Sequence, residues 1–503
     1  MGLFRWRPLD SAAPALQTRW YASSSDGSLV AQPWAYSRIP APGYGEPTDC
    51  GSVVCTAMAE RLVVIGGDAA GMSAATNARR GRTDLEIVVL EKGPDTSYAA
   101  CGIPYVLSGA VSGVDELIAR TPQQFRDRFR VDVRTRHEVV GLDLDARRVE
   151  VRALDQHRTL HLGFDQLHIA TGARPVRPDV PGVDGPGIHG IQNLEDTRSL
   201  MASIDGQNVR NVVIVGAGYV GLEMAEAFIE RNAKVTMVDS GAQPMKSLDP
   251  DMGQLVAKAA NTYGIDVQCG VKVTGFSPGQ VHTSDGDLRA DLVILGAGVV
   301  PNSEIATSVG LKAGERGSIA VDPRQRTSHE GIYAAGDCAD VFHRVSGQRV
   351  HLALGTVANK TGAVAGRNIG GGYSRFPGVV GTAITRVCQI EIARTGLNMA
   401  EANAAGIEFN VGTVDSTSRA GYFPGSEPVR AKILIERGTQ RLIGGQIVGG
   451  DRSGKRIDTL ATAITAGMTA TDLLDLDLGY TPSVTPIWDA FQLAAREALR
   501  FQR

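Results

Sequence analysis

The sequence predicts an α/β fold: two doubly wound parallel-sheet units followed by a smaller α+β domain. Three observations predict it. Two glycine-rich turns, Gly66–Gly71 and Gly216–Gly221, each lie between a short apolar run and a helical segment. Each is followed by a second apolar run ending in an acid, Glu91 in the first unit and Asp239 in the second. Beyond the Pro-Gly stretch at Phe376–Gly378 the pattern changes to paired strands and helices. Strand, glycine turn, helix and acid-ended strand together make a Rossmann-like dinucleotide-binding unit.

The elements follow in order. Leu62–Ile65 reads as a strand, Met72–Arg80 as a helix and Leu85–Leu90 as the next strand, one complete βαβ unit. The second copy starts at Asn211: Val212–Val215 is the strand, Leu222–Arg231 the helix and Lys234–Val238 the following strand. A strand-like segment leads into His168–Pro175 between the two units, and Leu292–Gly298 reads as a strand after the second. In the last part Ala431–Glu436 and Arg441–Val448 read as paired strands, and Arg456–Leu474 and Ile487–Leu499 as helices. The expected domains are 58–205 and 316–376 for the first unit, 206–315 for the second and 377–503 for the α+β part. Residues 1–57 mix Pro, Ser, Gly and Trp without period, and are expected to be a disordered extension or the product of a misassigned start.

Composition narrows the function classes. With 503 residues the chain has room for roughly two to four domains. Hydrophobic content of 43% with 21% charged residues suits a globular α/β protein. A net charge of -3 offers no basic surface for nucleic acid, and no apolar run is long enough to cross a bilayer, so neither partner is expected. The six cysteines, Cys50, Cys55, Cys101, Cys269, Cys338 and Cys388, are scattered without zinc-like spacing or a disulfide framework, which points to a reducing cytoplasm and no metal.

The glycines carry the binding chemistry. In the second turn Gly216 makes the tight bend, Gly218 lets the backbone approach a pyrophosphate and Gly221 permits close helix–strand packing. The helix that follows presents free N–H groups to the phosphates. Asp239 is placed to accept a ribose 2′-hydroxyl, and with no base before Lys246 it favours NAD, with NADPH left open. Gly298 belongs to the same cradle. The first turn keeps Gly66, Gly67 and Gly71 but has Asp68 at the middle position, where a carboxylate would repel a pyrophosphate. Asp68 is therefore expected to turn away or to cap the helix. Glu91 then serves the adenosine ribose, and Ala70, Val139, Thr171-Gly172 and Gly336-Asp337 complete a pattern associated with FAD. Cys338 and the strand-like Cys269 and Cys388 read as structural, and His351 as a surface or packing residue before a helix.

Cys101, in Ser97-Tyr-Ala-Ala-Cys-Gly-Ile-Pro104, reads as a redox thiol against the flavin. Pro104 and Val106 rule out a CxxC or CxxxxC dithiol. With both glycine turns and the FAD pattern, residues 58–503 resemble the pyridine nucleotide–disulfide oxidoreductases, in their single-cysteine branch of NADH oxidases, NADH peroxidases and coenzyme A-disulfide reductases. The resemblance implies a homodimer, with residues 377–503 as the dimerisation domain. Oxidases and peroxidases of the branch carry a histidine in the first glycine turn, where this chain has Ala69. Coenzyme A-disulfide reductases carry two C-terminal tyrosines that reach the partner subunit's active site; Tyr422 and Tyr480 match them.

The same resemblance assigns Arg80, Ser97, Phe125 and Asn359 to coenzyme A. Phe129 and Ala363 stand where the branch has basic residues, which weakens phosphate recognition and leaves persulfides, polysulfides and other disulfides open. Tyr219 resembles the gate over the nicotinamide, with Glu223 beside it. The implied activity is FAD-dependent transfer of reducing equivalents from NAD(P)H to a small disulfide or persulfide through Cys101. A positive local field and a following helix start are expected to lower the Cys101 pKa. Tyr422 or Tyr480 would protonate the leaving thiolate. The alternatives are an NADH oxidase or peroxidase cycling a Cys101 sulfenic acid, and a flavin-bound redox sensor with little turnover.

Overall fold

The computed structural model describes residues 59–206 and 208–500. The expectation for residues 1–57, with Cys50 and Cys55, lies outside the described residues.

The first parallel sheet has five strands, in the order Ile332–Ala334, Gln166–Ile169, Arg61–Ile65, Glu86–Leu90 and Asp132–Arg134. Leu62, Val63 and Val64 are fully buried, as expected of a central parallel strand covered on both faces. Two segments far apart in sequence meet in this sheet, where Ile332 stands opposite Leu167 and Ala334 opposite Ile169. The second sheet repeats the plan with Ile265–Cys269, Lys234–Asp239, Asn211–Val215, Leu292–Leu295 and Ile188–Gly190. In both, the glycine turn leaves the carboxyl end of the central strand, where ligands of such sheets bind.

Four helices position the site. They are α1 (Ala69–Gly81), α2 (Ile103–Ser108), α3 (Tyr219–Glu230) and α4 (Gly355–Ile369). Helices α1 and α4 lie parallel at backbone contact. Ala70, Ala74 and Ala78 of α1 face Gly362 and Gly366 of α4 and Gly370 just past its end. A Cβ on Gly362 would fall 2.3 Å from the Ala70 carbonyl oxygen, one on Gly366 2.2 Å from that of Ala74, and one on Gly370 3.0 Å from that of Ala78. In this register α4 begins six residues ahead of α1, so its N-terminus overhangs by about 9 Å at 1.5 Å per residue.

The last part is a five-stranded antiparallel sheet in the order Ala383–Val387, Ile390–Gly396, Leu442–Gly449, Pro428–Glu436 and Phe409–Thr417. The predicted pairing is present, with Ala431 opposite Ile447. The helix expected over 456–474 is instead two, Ile457–Ala466 and Ala470–Leu474, broken where Gly467 takes a left-handed φ of 73°. Cys388 is not in a strand. With Gln389 it forms a hairpin turn at φ 51° and 65°, and its N–H donates to Glu226 Oε1 at 2.7 Å.

Replacing a helix glycine by alanine ordinarily stabilises by about 1 kcal/mol. At Gly366 the added methyl meets a backbone oxygen that cannot move without displacing α1, and overpacking of this kind costs about 1–3 kcal/mol. Gly366→Ala is therefore expected to lower the melting temperature and the flavin content of the purified protein. A raised melting temperature in a thermal scan would contradict the contact.

Candidate active site

The first glycine turn is built so that only glycine fits. Gly66 has φ 102° and a Cβ there would lie 2.1 Å from the Ala170 carbonyl oxygen; one on Gly71 would lie 1.9 Å from that of Gly66. Glu91 closes the turn with both oxygens: Oε2 accepts the Gly67 N–H and Oε1 the Gly93 N–H, each at 2.7 Å. Burial pushes its carboxyl up against these two bonds. Asp68 occupies the N-cap position of α1 but caps nothing. Its Oδ1 accepts the Tyr98 N–H at 3.2 Å, and the capping expectation does not hold. Burial raises its pKa to about 6, with the Glu91 and Asp337 charges adding to the effect. A carboxyl that readily takes a proton is a weaker opponent of a pyrophosphate than a free carboxylate.

Around this turn the structure leaves a cradle. Gly336, at φ 80°, brings its segment so close that a Cβ would fall 2.8 Å from Ala70 Cβ. The next residue, Asp337, has a buried Oδ1 without a partner, while its carbonyl oxygen meets His351 Nε2 at 2.8 Å. A buried carboxylate oxygen without a donor calls for a hydroxyl or N–H from a ligand. Gly172, at φ 67°, faces open space, and the Thr171 hydroxyl donates to the Asn302 carbonyl. Val139 lies on the strand His137–Asp143, whose first N–H donates to the Glu91 carbonyl at 2.8 Å. The N-termini of α1 and α4, with their free N–H groups, complete the cradle. The arrangement fits FAD. Cys338 is fully buried and donates from Sγ to the Ala335 and Ile169 carbonyls at 3.4 and 3.5 Å, a packing residue.

The second turn follows the same construction. Gly216 has φ 105° with the Gly296 carbonyl oxygen 2.5 Å from its would-be Cβ, and a Cβ on Gly221 would lie 2.0 Å from the Gly216 oxygen. Gly218 and Gly298 face open space, as a backbone approached by a pyrophosphate must. Tyr219 is the first residue of α3, and burial pushes its hydroxyl up, with Ser247 opposing. Asp239 accepts from the Ala217 N–H at 2.8 Å and the Gly241 N–H at 2.6 Å. The expectation of an acid without a neighbouring base is overturned: Lys246 Nζ lies 3.1 Å from Asp239 Oδ1. The sequence interval concealed this because residues 240–246 fold back over the strand end.

Cys101 lies exposed on a 3₁₀ turn, Ala100–Gly102, that runs directly into α2. The helix start is as predicted; the positive field is not. Burial of the sulfur and the charge of Glu223 push the thiol up, its own N–H opposes, and Asp337 and Asp68 add to the rise. The charges bearing on Cys101 in the chain alone are thus carboxyls. Glu223, on α3, is itself pushed up by burial and accepts from the Thr385 hydroxyl at 2.5 Å. Thr385 had no signal in the sequence, because it enters from a strand of the last sheet.

Tyr422 and Tyr480 are brought together. Both are exposed, the Ala420 N–H donates to the Pro482 carbonyl at 3.1 Å to join their loops, and burial and a hydrogen bond to Tyr422 push the Tyr480 hydroxyl up. Among the described residues no hydrogen bond links either tyrosine to Cys101 of the same chain. Of the four residues assigned to coenzyme A, Arg80 and Asn359 are exposed, and Asn359 Oδ1 accepts from the Ser73 hydroxyl at 3.0 Å. Ser97, at φ 52°, donates its N–H to the Gly67 carbonyl at 3.0 Å. Phe125 must be withdrawn: it is 1% exposed, packed in the core under the first sheet with Leu85, Val131 and Val133, and presents no surface to a ligand.

Comparison with known proteins agrees with this geometry. The sequence pattern described as "Pyridine nucleotide-disulphide oxidoreductase" matches residues 60–362, and that of its dimerisation domain matches residues 382–490. The chain belongs to the pyridine nucleotide-disulphide oxidoreductases. As a member it is an FAD-dependent oxidoreductase that uses NAD(P)H. Among its relatives, the NAD(P)H coenzyme A polysulfide/persulfide reductase of Pyrococcus horikoshii is 36% identical over 87% of this chain and 98% of its own length. The NADH oxidase of Methanocaldococcus jannaschii is 34% identical over 88% and 99%. Among solved structures, the reduced CoADR-RHD of Bacillus anthracis superimposes with a TM-score of 0.86 at 31% identity, covering 88% of this chain and 81% of that one. The NAD-dependent persulfide reductase of A. fulgidus gives 0.84 at 36%, covering 88% and 83%.

Two pH-dependent behaviours follow. Because the Asp68 pKa is raised from 3.8 to about 6, the folded protein binds this proton more tightly than the unfolded chain. The stability that this gives is complete below pH 3.8 and is lost as pH rises through about 6. Asp68→Asn is expected to make the apoprotein more stable at pH 7–8 by on the order of 2–3 kcal/mol, with the gain vanishing near pH 4, in denaturant titrations. Glu223→Gln removes a negative charge from the surroundings of Cys101, so the pH midpoint of Cys101 alkylation, followed by mass spectrometry of its peptide, is expected to fall. An unmoved midpoint would show that Glu223 does not act on the thiol.

Proposed function

We propose that the enzyme reduces a small disulfide or persulfide, of the coenzyme A type or a related thiol, with Cys101 as its single redox sulfur. The observation that carries this reading is the exposed Cys101, set on a turn beside the FAD cradle with no cysteine at the CxxC or CxxxxC spacing from it. The relatives named as coenzyme A polysulfide/persulfide reductase and coenzyme A disulfide reductase support it.

The thiolate of Cys101 attacks one sulfur of the substrate. The sulfur–sulfur bond breaks, a mixed disulfide forms on Cys101, and the second sulfur leaves as a thiolate that takes a proton. FAD, when bound, would supply the two electrons, drawn from NAD(P)H, that break this mixed disulfide, returning Cys101 to the thiolate and releasing the remaining half of the substrate as a second thiolate. Because the local carboxyls hold the Cys101 proton on, deprotonation depends on how Glu223 and Asp337 are protonated. Thr385 holds the Glu223 carboxyl in place, and Tyr219 covers the second glycine turn from the start of α3.

The tyrosines act across a dimer. Ile487 is 71% exposed and stands with Trp488, Val484 and Tyr480 in one apolar surface segment, next to Tyr422. This is surface that a second copy would bury, and it falls within the stretch that matches the dimerisation domain. From there Tyr422 or Tyr480 donates the proton to the leaving thiolate in the partner's site. The oxidase or peroxidase reading has a relative to support it, the NADH oxidase of M. jannaschii. Against it, Ala69 at the start of α1 supplies no acid or base for peroxide.

Cys101→Ser is expected to abolish NADH oxidation driven by coenzyme A disulfide or persulfide; full turnover in this variant would overturn the reading. Tyr422→Phe/Tyr480→Phe is expected to lower kcat by about 10²-fold or more, the scale of a lost general acid. Subunits of these two variants, mixed and allowed to exchange, are expected to regain roughly a quarter of wild-type activity, because half the dimers then carry one intact composite site. No recovery would place the tyrosines in the site of their own subunit.

A further inference from the structure

A small antiparallel sheet in the second unit brings a serine, a histidine and an aspartate together. Its strands are Val273–Ser277, Gln280–Thr283 and Gly286–Arg289. Phe276, Val281 and Leu288 stand opposite one another and pack inward against Val271 and Val293. Side chains alternate along a strand, so the positions on either side face outward. Gly275, His282 and Asp287 form one outward row, and Ser277, Gln280 and Arg289 form the next. Asp287 is thus directly across from His282, and Ser277 is its diagonal neighbour.

The three side chains are joined. His282 Nδ1 lies 2.8 Å from Asp287 Oδ1, and His282 Nε2 lies 2.9 Å from Ser277 Oγ. A carboxylate only accepts, so Nδ1 carries the hydrogen of the neutral ring. Nε2 is then the acceptor, and the Ser277 hydroxyl donates to it. In this tautomer a histidine can draw the proton off a serine while an acid holds the ring. The ring passes over Gly275, where a Cβ would lie 3.7 Å from Cδ2, and so reaches along the strand to Ser277. Gln280, exposed and directly across from Ser277, offers a side-chain N–H to an oxygen bound there. Ser277 and Asp287 are exposed as well, so the site gives a leaving group little further help. It therefore suits acyl groups that part from a stable anion: a thiolate, whose acid has a pKa of about 8.5, rather than an alkoxide or an amide nitrogen.

We propose that Ser277 is the nucleophile of a second site, with His282 as its base and Asp287 positioning the ring, that hydrolyses small acyl thioesters. Ser277 Oγ bonds to the acyl carbon as its proton passes to Nε2. The carbon–sulfur bond breaks, its electron pair leaves on the thiolate, and the proton on Nε2 goes to that sulfur. A water then gives a proton to Nε2 and attacks the acyl-serine. The acid leaves, and the proton returns to Ser277 Oγ. The Gln280 amide faces the carbonyl oxygen as it gains negative charge. No electrons are transferred, so the reaction needs neither FAD nor NAD(P)H and is independent of Cys101.

The test uses the FAD-loaded Cys101→Ser protein, in which the redox thiol cannot take the acyl group. It is given a fluorophosphonate probe and, separately, S-acetyl-N-acetylcysteamine without NAD(P)H. Peptide mass spectrometry is expected to find the probe on Ser277, and chromatography to find free thiol and acetate formed over repeated turnovers. His282→Gln is expected to slow labelling and thioester hydrolysis about 10²-fold or more, the scale of a lost general base. Asp287→Asn, a surface change of nearly equal volume, is expected to slow both about tenfold or more. Ser277→Ala is expected to abolish both. Flavin content and reduction of the flavin by NADH are expected to stay unchanged in every variant. A probe that misses Ser277, labelling at an unchanged rate in the His282→Gln and Asp287→Asn proteins, or a labelled Ser277 that releases no thiol from the thioester would each overturn the proposal.

Discussion

The contact between α1 and α4 governs the architecture of the active site. Alanine on one helix and glycine on the other, repeated every four residues, remove the side chains that normally separate helix axes, and the backbones meet. Two consequences follow. The N-termini of the two helices point the same way and are staggered by six residues, so one cofactor can be held along its length by two positive helix ends. The contact also ties residues 69–81 to residues 355–369 across the intervening second unit, which makes the first cradle a product of distant segments. Asp337, buried with an unpartnered oxygen, lies on the segment that this closure brings in.

The electrostatics of the site run opposite to a simple thiol-activation scheme. Glu223, Asp68 and Asp337 all have raised pKa values, and all three act to keep the Cys101 proton on. Burial is the main cause in all three, so these acids hold their own protons more tightly than free carboxyls do. They also make the thiol a cautious nucleophile until a ligand changes the field.

The parts of this protein that could be read from sequence are those set by local chemistry. Gly66, Gly71, Gly216 and Gly221 announce themselves because their backbone leaves no room for a Cβ, and Glu91 and Asp239 because they end strands beside such turns. The isolation of Cys101 was equally plain, since dithiol motifs are short. What escaped depends on chain returning from far away or folding back. Thr385 reaches Glu223 across 162 positions, Lys246 reaches Asp239 by reversing a loop, and the field at Cys101 is made by carboxyls on three separate segments. Phe125 was misassigned for a related reason: the resemblance matches a position in the chain, while the direction its side chain faces, here the core, is set by packing. The spacing of Gly362, Gly366 and Gly370 was visible, but only the alanines opposite give it meaning.

The last sheet has a wider role than subunit contact. One hairpin, Ala383–Val387 and Ile390–Gly396, carries Thr385 to Glu223, Cys388 to Glu226 and Arg394 to the Ser247 carbonyl. Behind it Lys432, 4% exposed, is buried against Asp249 and also pairs with Asp251. Removing one partner of such a buried pair strands a charge and costs about 3–5 kcal/mol, so the pairing holds the two parts in one register more than it adds stability. The same sheet carries the loop of Tyr422, and the segment of Tyr480, which lies between two helices, is joined to it by the Ala420 N–H to Pro482 carbonyl bond. The acid that bears on Cys101, the loop that carries Lys246 and the loop of Tyr422 are therefore referenced to one sheet. A displacement of that sheet would reach the thiol and the nucleotide cradle together.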